Sequence, residues 1–349
     1  MKIIFLLILS LLSINFYGQA NIEATEQQFR IMFYNVENLF DPFDDTLKND
    51  QEFVAGGVRG WTWKKFEKKL NNISKVVVAS GGWEPPEIVA FGEIENRFVV
   101  IELLKLTPLE KFSYEIIHEE SPDERGIDVG FIYRRDKFKE LYHKSVKIKS
   151  EDTTLKTRDI LYVKGILKIK AKNDSDTLHF LINHWPSRTG GPAITAYKRK
   201  DAALTLKSIT DSLFKINSKS LIILMGDFND EPVDESINIH LAAKTEMGDN
   251  QGVLYNLMTP YLGKIDTGTN KFKDQWGVID QFIVSGQLLS ENSRISVKNS
   301  MAEIIQFPFL LKEDENFPGR IPFRTYNGMK YSGGFSDHLP VLLTLRIKD

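Results

Sequence analysis

Short apolar runs of strand length, each ending in a knot of polar residues, recur along almost the whole chain. They are Phe29–Val36, Glu87–Ile94, Ile127–Tyr133, Tyr162–Ile169, Thr177–Asn183, Ser220–Gly226, Val278–Val284 and Leu339–Ile347. Runs apolar on successive positions, rather than on every second one, read as strands covered on both faces. Between them lie helix-like stretches at Trp63–Ser80, Arg97–Lys105 and Ala193–Phe214, the last keeping only a rough 3.6-residue period. Such interleaving predicts an α/β sandwich. Long loops, at 41–59, 238–275 and 300–332, account for the chain's length without a second domain, and neither a repeat nor a low-complexity linker interrupts it. One catalytic domain over residues 21–349 is therefore expected.

The chemistry sits where those runs stop. The first ends in Asn35-Val36-Glu37-Asn38, the second in Glu93-Ile94-Glu95-Asn96, the fifth runs into His184-Trp185-Pro186-Ser187-Arg188, and the sixth ends in Asp227-Phe228-Asn229-Asp230. Asp280 lies in the seventh run, and Asp337-His338 precede the last. Strand ends of an α/β sheet are where such folds place a ligand crevice. A His beside an Asp, with a second Asp on a neighbouring strand, is the pattern of an oriented general base, because the carboxylate tunes and aims an imidazole whose pKa already lies near neutrality. Carboxylates and amides without a thiol suit a hard cation held by oxygen, most naturally Mg²⁺, with Mn²⁺ or Ca²⁺ as alternatives. A cation with two histidines suits hydrolysis of a phosphate ester.

With these residues the chain resembles the endonuclease/exonuclease/phosphatase superfamily, which includes pancreatic-type deoxyribonuclease, abasic-site endonucleases and inositol-polyphosphate phosphatases. The resemblance runs from Arg30 to Ile347, and its Glu93-Ile94-Glu95-Asn96 and Asn183-His184-Trp185-Pro186-Ser187-Arg188 phrases look most like an exported bacterial nuclease branch. It implies a four-layer sandwich, two packed mixed β-sheets flanked by helices. It also implies roles. Glu93 and Asn35 match metal-binding positions, and Asp337 approaches the metal. Glu37 stands where many relatives carry Asp, as a longer-armed candidate ligand. Asp227 and Asn229 match the pair that positions nucleophile and phosphate. His338, oriented by Asp280, takes a proton from water, and His184 contacts the phosphate and assists the leaving oxygen. Arg125 falls near a phosphate-contacting position, with a salt bridge to Asp128 as the alternative. Arg188, four residues beyond His184, is placed to meet a neighbouring phosphate. Glu95 reads as a cap for the next helix, and Arg199 as a tie between its helix and the sheet. The lysines at 64, 65, 68 and 69 read as a solvated helix face.

Lys2, an apolar run from Ile3 to Leu12, and small residues at Gly18 and Ala20 form a signal-peptide pattern over residues 1–20. Export to the periplasm or the extracellular space is expected, yet the chain has no cysteine, so no disulfide, thiol nucleophile or thiolate metal site can form. A net charge of −2 supplies no global attraction to a polyanion. The expected activity is metal-dependent hydrolysis of DNA or RNA by a monomer without stable membrane association. The alternative is a phosphatase or phosphodiesterase of small or lipid phosphoesters. A non-catalytic surface-binding scaffold would have lost some of His338, Asp280, Asp227 and Glu93, and all four are present.

Overall fold

The computed structural model describes residues 27–82, 84–168 and 176–348, so the signal-peptide segment lies outside the described residues. In chain order the principal elements are β1 (Gln27–Leu39), α1 (Trp63–Ser80), β2 (Ile88–Ile94), α2 (Arg97–Lys105), β3 (Tyr114–His118), β4 (Asp128–Arg134), β5 (Phe138–Val146) and β6 (Ile160–Leu167). They continue with β7 (Thr177–His184), α3 (Pro192–Ile216), β8 (Leu221–Asp227), β9 (Leu254–Asn256), β10 (Asp280–Ser285), β11 (Ile295–Ile304) and β12 (Val341–Ile347). All the apolar runs become strands, and the three helix-like stretches become the three long helices.

Successive residues of β1 show why the strands had to be apolar on both faces. Phe29, Ile31 and Phe33 join one buried cluster, while Met32, Tyr34 and Val36 join another. The first cluster lies between two six-stranded mixed sheets, ordered β11-β12-β1-β2-β4-β3 and β5-β6-β7-β8-β10-β9. The second is covered by α1 and α2, through Phe66, Leu70, Ile73, Val77, Val99 and Leu103. A third forms where Ala202, Ala203 and Leu206 of α3 cover Leu181, Ile222, Leu224 and Ile283. Three apolar layers between four layers of secondary structure make the expected sandwich.

Each sheet is built around one parallel pair, β1 with β2 and β7 with β8, whose crossovers contain α1 and α3 respectively. A parallel pair brings two C-terminal strand ends to the same edge. In register, Asn35 faces Gly92 and His184 faces Asp227, and antiparallel β10 starts with Asp280 opposite Asp227. At β7–β8 the backbones close tightly, since a Cβ at Gly226 would lie 2.1 Å from Asn183 O.

One half-buried histidine away from this edge gives a pH test of the fold. His179 on β7 pairs its Nδ1 with Tyr162 Oη at 2.8 Å. Burial, helped by the Lys164 ammonium opposite, pushes its pKa down from 6.5 to about 4. Between those pH values the unfolded chain binds a proton that the folded chain does not. Stability present above pH 6.5 is therefore lost as pH falls toward 4. His179→Gln should remove about 1–2 kcal/mol of the loss between about pH 7 and 4.5, a figure discounted for partial exposure. Urea denaturation at the two pH values measures it, and identical losses in both proteins would refute the assignment.

Candidate active site

The common edge of the two sheets gathers the sequence-predicted residues from six separate strand ends. Several take backbone conformations that ordinary strands avoid. Glu37, Asn38, Glu93 and Asn229 have φ of 52°, 54°, 62° and 52°, the left-handed region. At Glu93 the β2–β4 register shifts between Gly92 and Ile94, a bulge that lifts its carboxylate out of the strand. Non-glycine residues held this way concentrate at functional sites.

Asp227 is the hub. Its Oδ1 accepts from Asn229 N at 2.9 Å, and its Oδ2 accepts from Asn35 Nδ2 at 3.1 Å. Asn35 Nδ2 also reaches Glu93 Oε1 at 3.4 Å, while Glu93 Oε2 accepts from Asn38 N at 2.9 Å. Asn229 is locked from its other end, donating from Nδ2 to Trp185 O at 3.0 Å. Burial, with the Asp280 and Glu93 carboxylates nearby, pushes Asp227 up to about 7 despite the opposing pull of His338.

His338 and Asp280 form a dyad, with Nδ1 and Oδ2 2.7 Å apart. The carboxylate accepts from Nδ1–H and leaves Nε2 to receive a proton. Nε2 lies 3.9 Å from Asp227 Oδ2 and 4.0 Å from Asp337 Oδ1. Asp280 is itself anchored by its N–H, which donates to Thr269 Oγ1 at 3.0 Å. Ser336 stitches this segment to β1, donating to Asn35 O and accepting from His338 N. Burial pulls the imidazole's pKa down, but Asp280, Asp227 and Asp337 together raise it well above its ordinary value.

The second histidine is tuned the other way. Burial, then the Arg158 and Arg125 guanidiniums and His338, hold His184 well below 6.5, so it is neutral at pH 7. Its Nε2 sits 3.6 Å from Asp227 Oδ2 and 4.0 Å from Glu93 Oε1. Arg158 Nε donates to His184 O and its Nη2 to Trp185 O, fixing the strand end that presents the ring.

Glu37 and Asp337 meet a cation that belongs to the chain. Arg324 Nη2 lies 2.8 Å from Glu37 Oε1 and 2.9 Å from Asp337 Oδ2. The other Glu37 oxygen accepts from Thr325 N at 2.7 Å. Lys69, read in the sequence as part of a solvated face, is buried, and donates to Thr325 Oγ1 and Phe335 O at 2.6 Å each. Burial first, against the raising pull of Glu37 and Asp337, lowers its pKa to about 8. Lys64 and Lys68 are exposed as expected. Glu93 and Asn35, whose side chains lie 3.4 Å apart, carry oxygens suited to a hard cation, and the Asp227 and Asp280 carboxylates beside His338 form an adjacent cluster of possible metal ligands. Glu37 can bind a cation only in exchange with Arg324.

Three peripheral residues sit differently from their expected places. Glu95 does not cap α2; Asn96 does, accepting from Val99 N at 3.1 Å, because the cap must precede the first helical turn directly. Glu95 instead accepts from Asp41 N, and burial pushes it up to about 9. Arg125 does not bridge to Asp128, whose oxygens take Ser121 N and His118; its Nε lies 3.7 Å from Asp123 Oδ1. Arg188 spends its guanidinium on Asn229 O, Asp230 and Asp234, bracing the loop after β8. Arg199 ties α3 to that loop through Asp230 at 2.8 Å. Arg324, Arg158 and Lys69 were not singled out by sequence reasoning as site residues, since each lies in a segment without a motif.

Residues 30–347 match the family model described as the endonuclease/exonuclease/phosphatase family. No curated relative matches the sequence. Among solved structures, the chain is similar to an endonuclease/exonuclease/phosphatase family protein from Bacteroides thetaiotaomicron, with 17% identity, TM-score 0.55, and coverage of 93% of this chain and 99% of that one. It is also similar to TDP2 from D. rerio complexed with a single-strand DNA product, with 14% identity, TM-score 0.54, and coverage of 91% and 98%. A mannosyl-6-phosphatase from Bacteroides thetaiotaomicron follows at 16% identity and TM-score 0.53, covering 91% and 99%. At such identities the likeness of the structures is one of fold, whereas the family match spans nearly all the described residues. The chain belongs to the endonuclease/exonuclease/phosphatase family.

Proposed function

We propose that this protein is an exported, metal-dependent phosphodiesterase that hydrolyses nucleic acid. One observation carries the reading. The Nε2 of an Asp280-oriented imidazole lies 3.9 Å from Asp227 Oδ2, which the Asn35 amide joins to the part-buried Glu93 carboxylate. A water at that Nε2 gives its proton to neutral His338, the fraction that grows as pH rises through its raised pKa, and Asp280 stabilises the imidazolium that forms. Asn229 and Asn35, both held rigid by hydrogen bonds, orient the phosphate for in-line attack. Neutral His184 donates a hydrogen bond toward the phosphate or the leaving oxygen. A divalent cation held by Glu93, Asn35 and Asp337 supplies, when bound, Lewis-acid stabilisation of charge on the phosphate oxygens. Nucleic acid is favoured by two of the basic residues that follow His184, Lys198 and Lys200, which, unlike Arg188 and Arg199, are not taken up by Asp230.

The test offers purified mature protein plasmid DNA, single-stranded DNA, RNA, a phosphoinositide, a sugar phosphate and bis(p-nitrophenyl) phosphate, each with Mg²⁺ and with chelator. Cleavage of a polynucleotide and of bis(p-nitrophenyl) phosphate, both abolished by chelator, is expected. Turnover of the phosphoinositide or sugar phosphate alone would overturn the nucleic-acid reading and favour the phosphatase alternative.

A further inference from the structure

Beyond His184 the chain passes through Pro186 and Ser187 into the start of α3. There it forms one wall of a solvent-open pocket of about 540 Å³ that the site described above leaves unused. The facing walls come from the loops bearing Asp123–Arg125 and Lys156–Arg158. Four cations, Arg125, Lys156, Arg158 and Lys198, line it against two carboxylates, Asp123 and Glu124.

The cations are not equally committed. Arg158 is buried, pairs with Asp123 Oδ2 at 3.1 Å, and clamps the carbonyls of His184 and Trp185, so it joins the pocket to the catalytic strand end. Lys156 meets Glu124 at 3.1 Å, but both side chains are more than half exposed, and such a pair contributes little and exchanges readily. Arg125 is 51% exposed and only 3.7 Å from an Asp123 whose other oxygen already serves Arg158. Lys198 makes no ion pair among the described residues. Thr195, in the first turn of α3, also borders the pocket.

We infer that this pocket binds a second phosphate of the substrate, the one next to the scissile phosphate on a polynucleotide backbone. The inference rests on the phosphodiesterase reading above and narrows it to substrates that carry a further phosphate. Two features favour a polymer. The pocket continues directly from the His184 strand end, and it is open to solvent, as a continuing chain requires. A neighbouring phosphate exchanges the weak Glu124 and Asp123 contacts for charge-assisted ones.

The experiment uses the full mature protein and the double variant Lys156→Gln/Lys198→Gln. Fluorescence anisotropy with a labelled single-stranded oligonucleotide, in chelator so that nothing is cleaved, should show binding weakened by about 10-fold. The slope of log affinity against log salt should become shallower by roughly 0.7 to 1.4, one or two phosphates' worth of counterion release. With Mg²⁺, the ratio of kcat/KM on the oligonucleotide to that on bis(p-nitrophenyl) phosphate should fall by a similar factor. Unchanged oligonucleotide binding and salt slope would overturn the proposal. A bisphosphorylated sugar that loses affinity in the variant while the oligonucleotide does not would overturn the polynucleotide assignment. If wild type cleaves neither phosphodiester, the activity reading fails, and the anisotropy measurement still decides the pocket by itself.

Discussion

His338→Ala should lower kcat on a phosphodiester by about 10³-fold, within the range general-base catalysis contributes. Among the described residues, the variant removes the one proton acceptor whose ring is aimed by a buried carboxylate into the Asp227 cluster. Asp280→Asn is the sharper form of the experiment. The amide can donate as well as accept, so Nδ1 loses its obligatory carboxylate partner and the ring can present the wrong tautomer. A loss of about 10²–10³-fold in kcat is expected, with KM changed much less, because the residue acts on the proton transfer rather than on substrate binding. Single-turnover kinetics separate the two constants. If either variant keeps near wild-type kcat, the water is activated elsewhere and the assigned role of the dyad is wrong.

Glu93→Gln should cost about as much activity and do so through a different term. The substitution keeps the side chain's length and can still accept from Asn38 N, so the left-handed backbone at residue 93 remains supported. What it removes is the negative charge that a hard cation requires. Activity at saturating Mg²⁺ should fall by about 10²–10³-fold, and the Mg²⁺ concentration for half-maximal rate should rise about 10-fold or more, since lesser changes at second-layer partners already cost 10–100-fold. Calorimetric titration of the ion checks the binding directly. Unaltered Mg²⁺ dependence would remove Glu93 from the donor set.

The interior of the fold was readable because a strand covered on both faces must be apolar at every position. That rule located β1, β2, β4, β6, β7, β8, β10 and β12. It missed β3, β5, β9 and β11, and these are the four edge strands of the two sheets. β5, with the sequence FKELYHKSV, has a single fully buried residue, and a one-sided strand carries charges that mimic a loop. β11 is further broken by a register shift between Val297 and Ala302, with Asn299 and Ser300 at positive φ.

By itself the sequence determined which polar residues lie at strand ends, because apolar periodicity and the polar residues that interrupt it are local properties. It also marked the Asp280–His338 partnership, since both residues flank unmistakable strands. Tertiary structure alone decided how the charges divide. Glu37 and Asp337 share Arg324, from 287 positions along the chain in the first case, and Lys69 sits buried beneath them. Arg188 turned to Asp230 and Asp234 while Arg125 and Lys198 were left facing an open pocket. Ion pairing depends on distance and burial in space, and a carboxylate's partner is set by whichever loop the packed sheets bring against it, which no local pattern records.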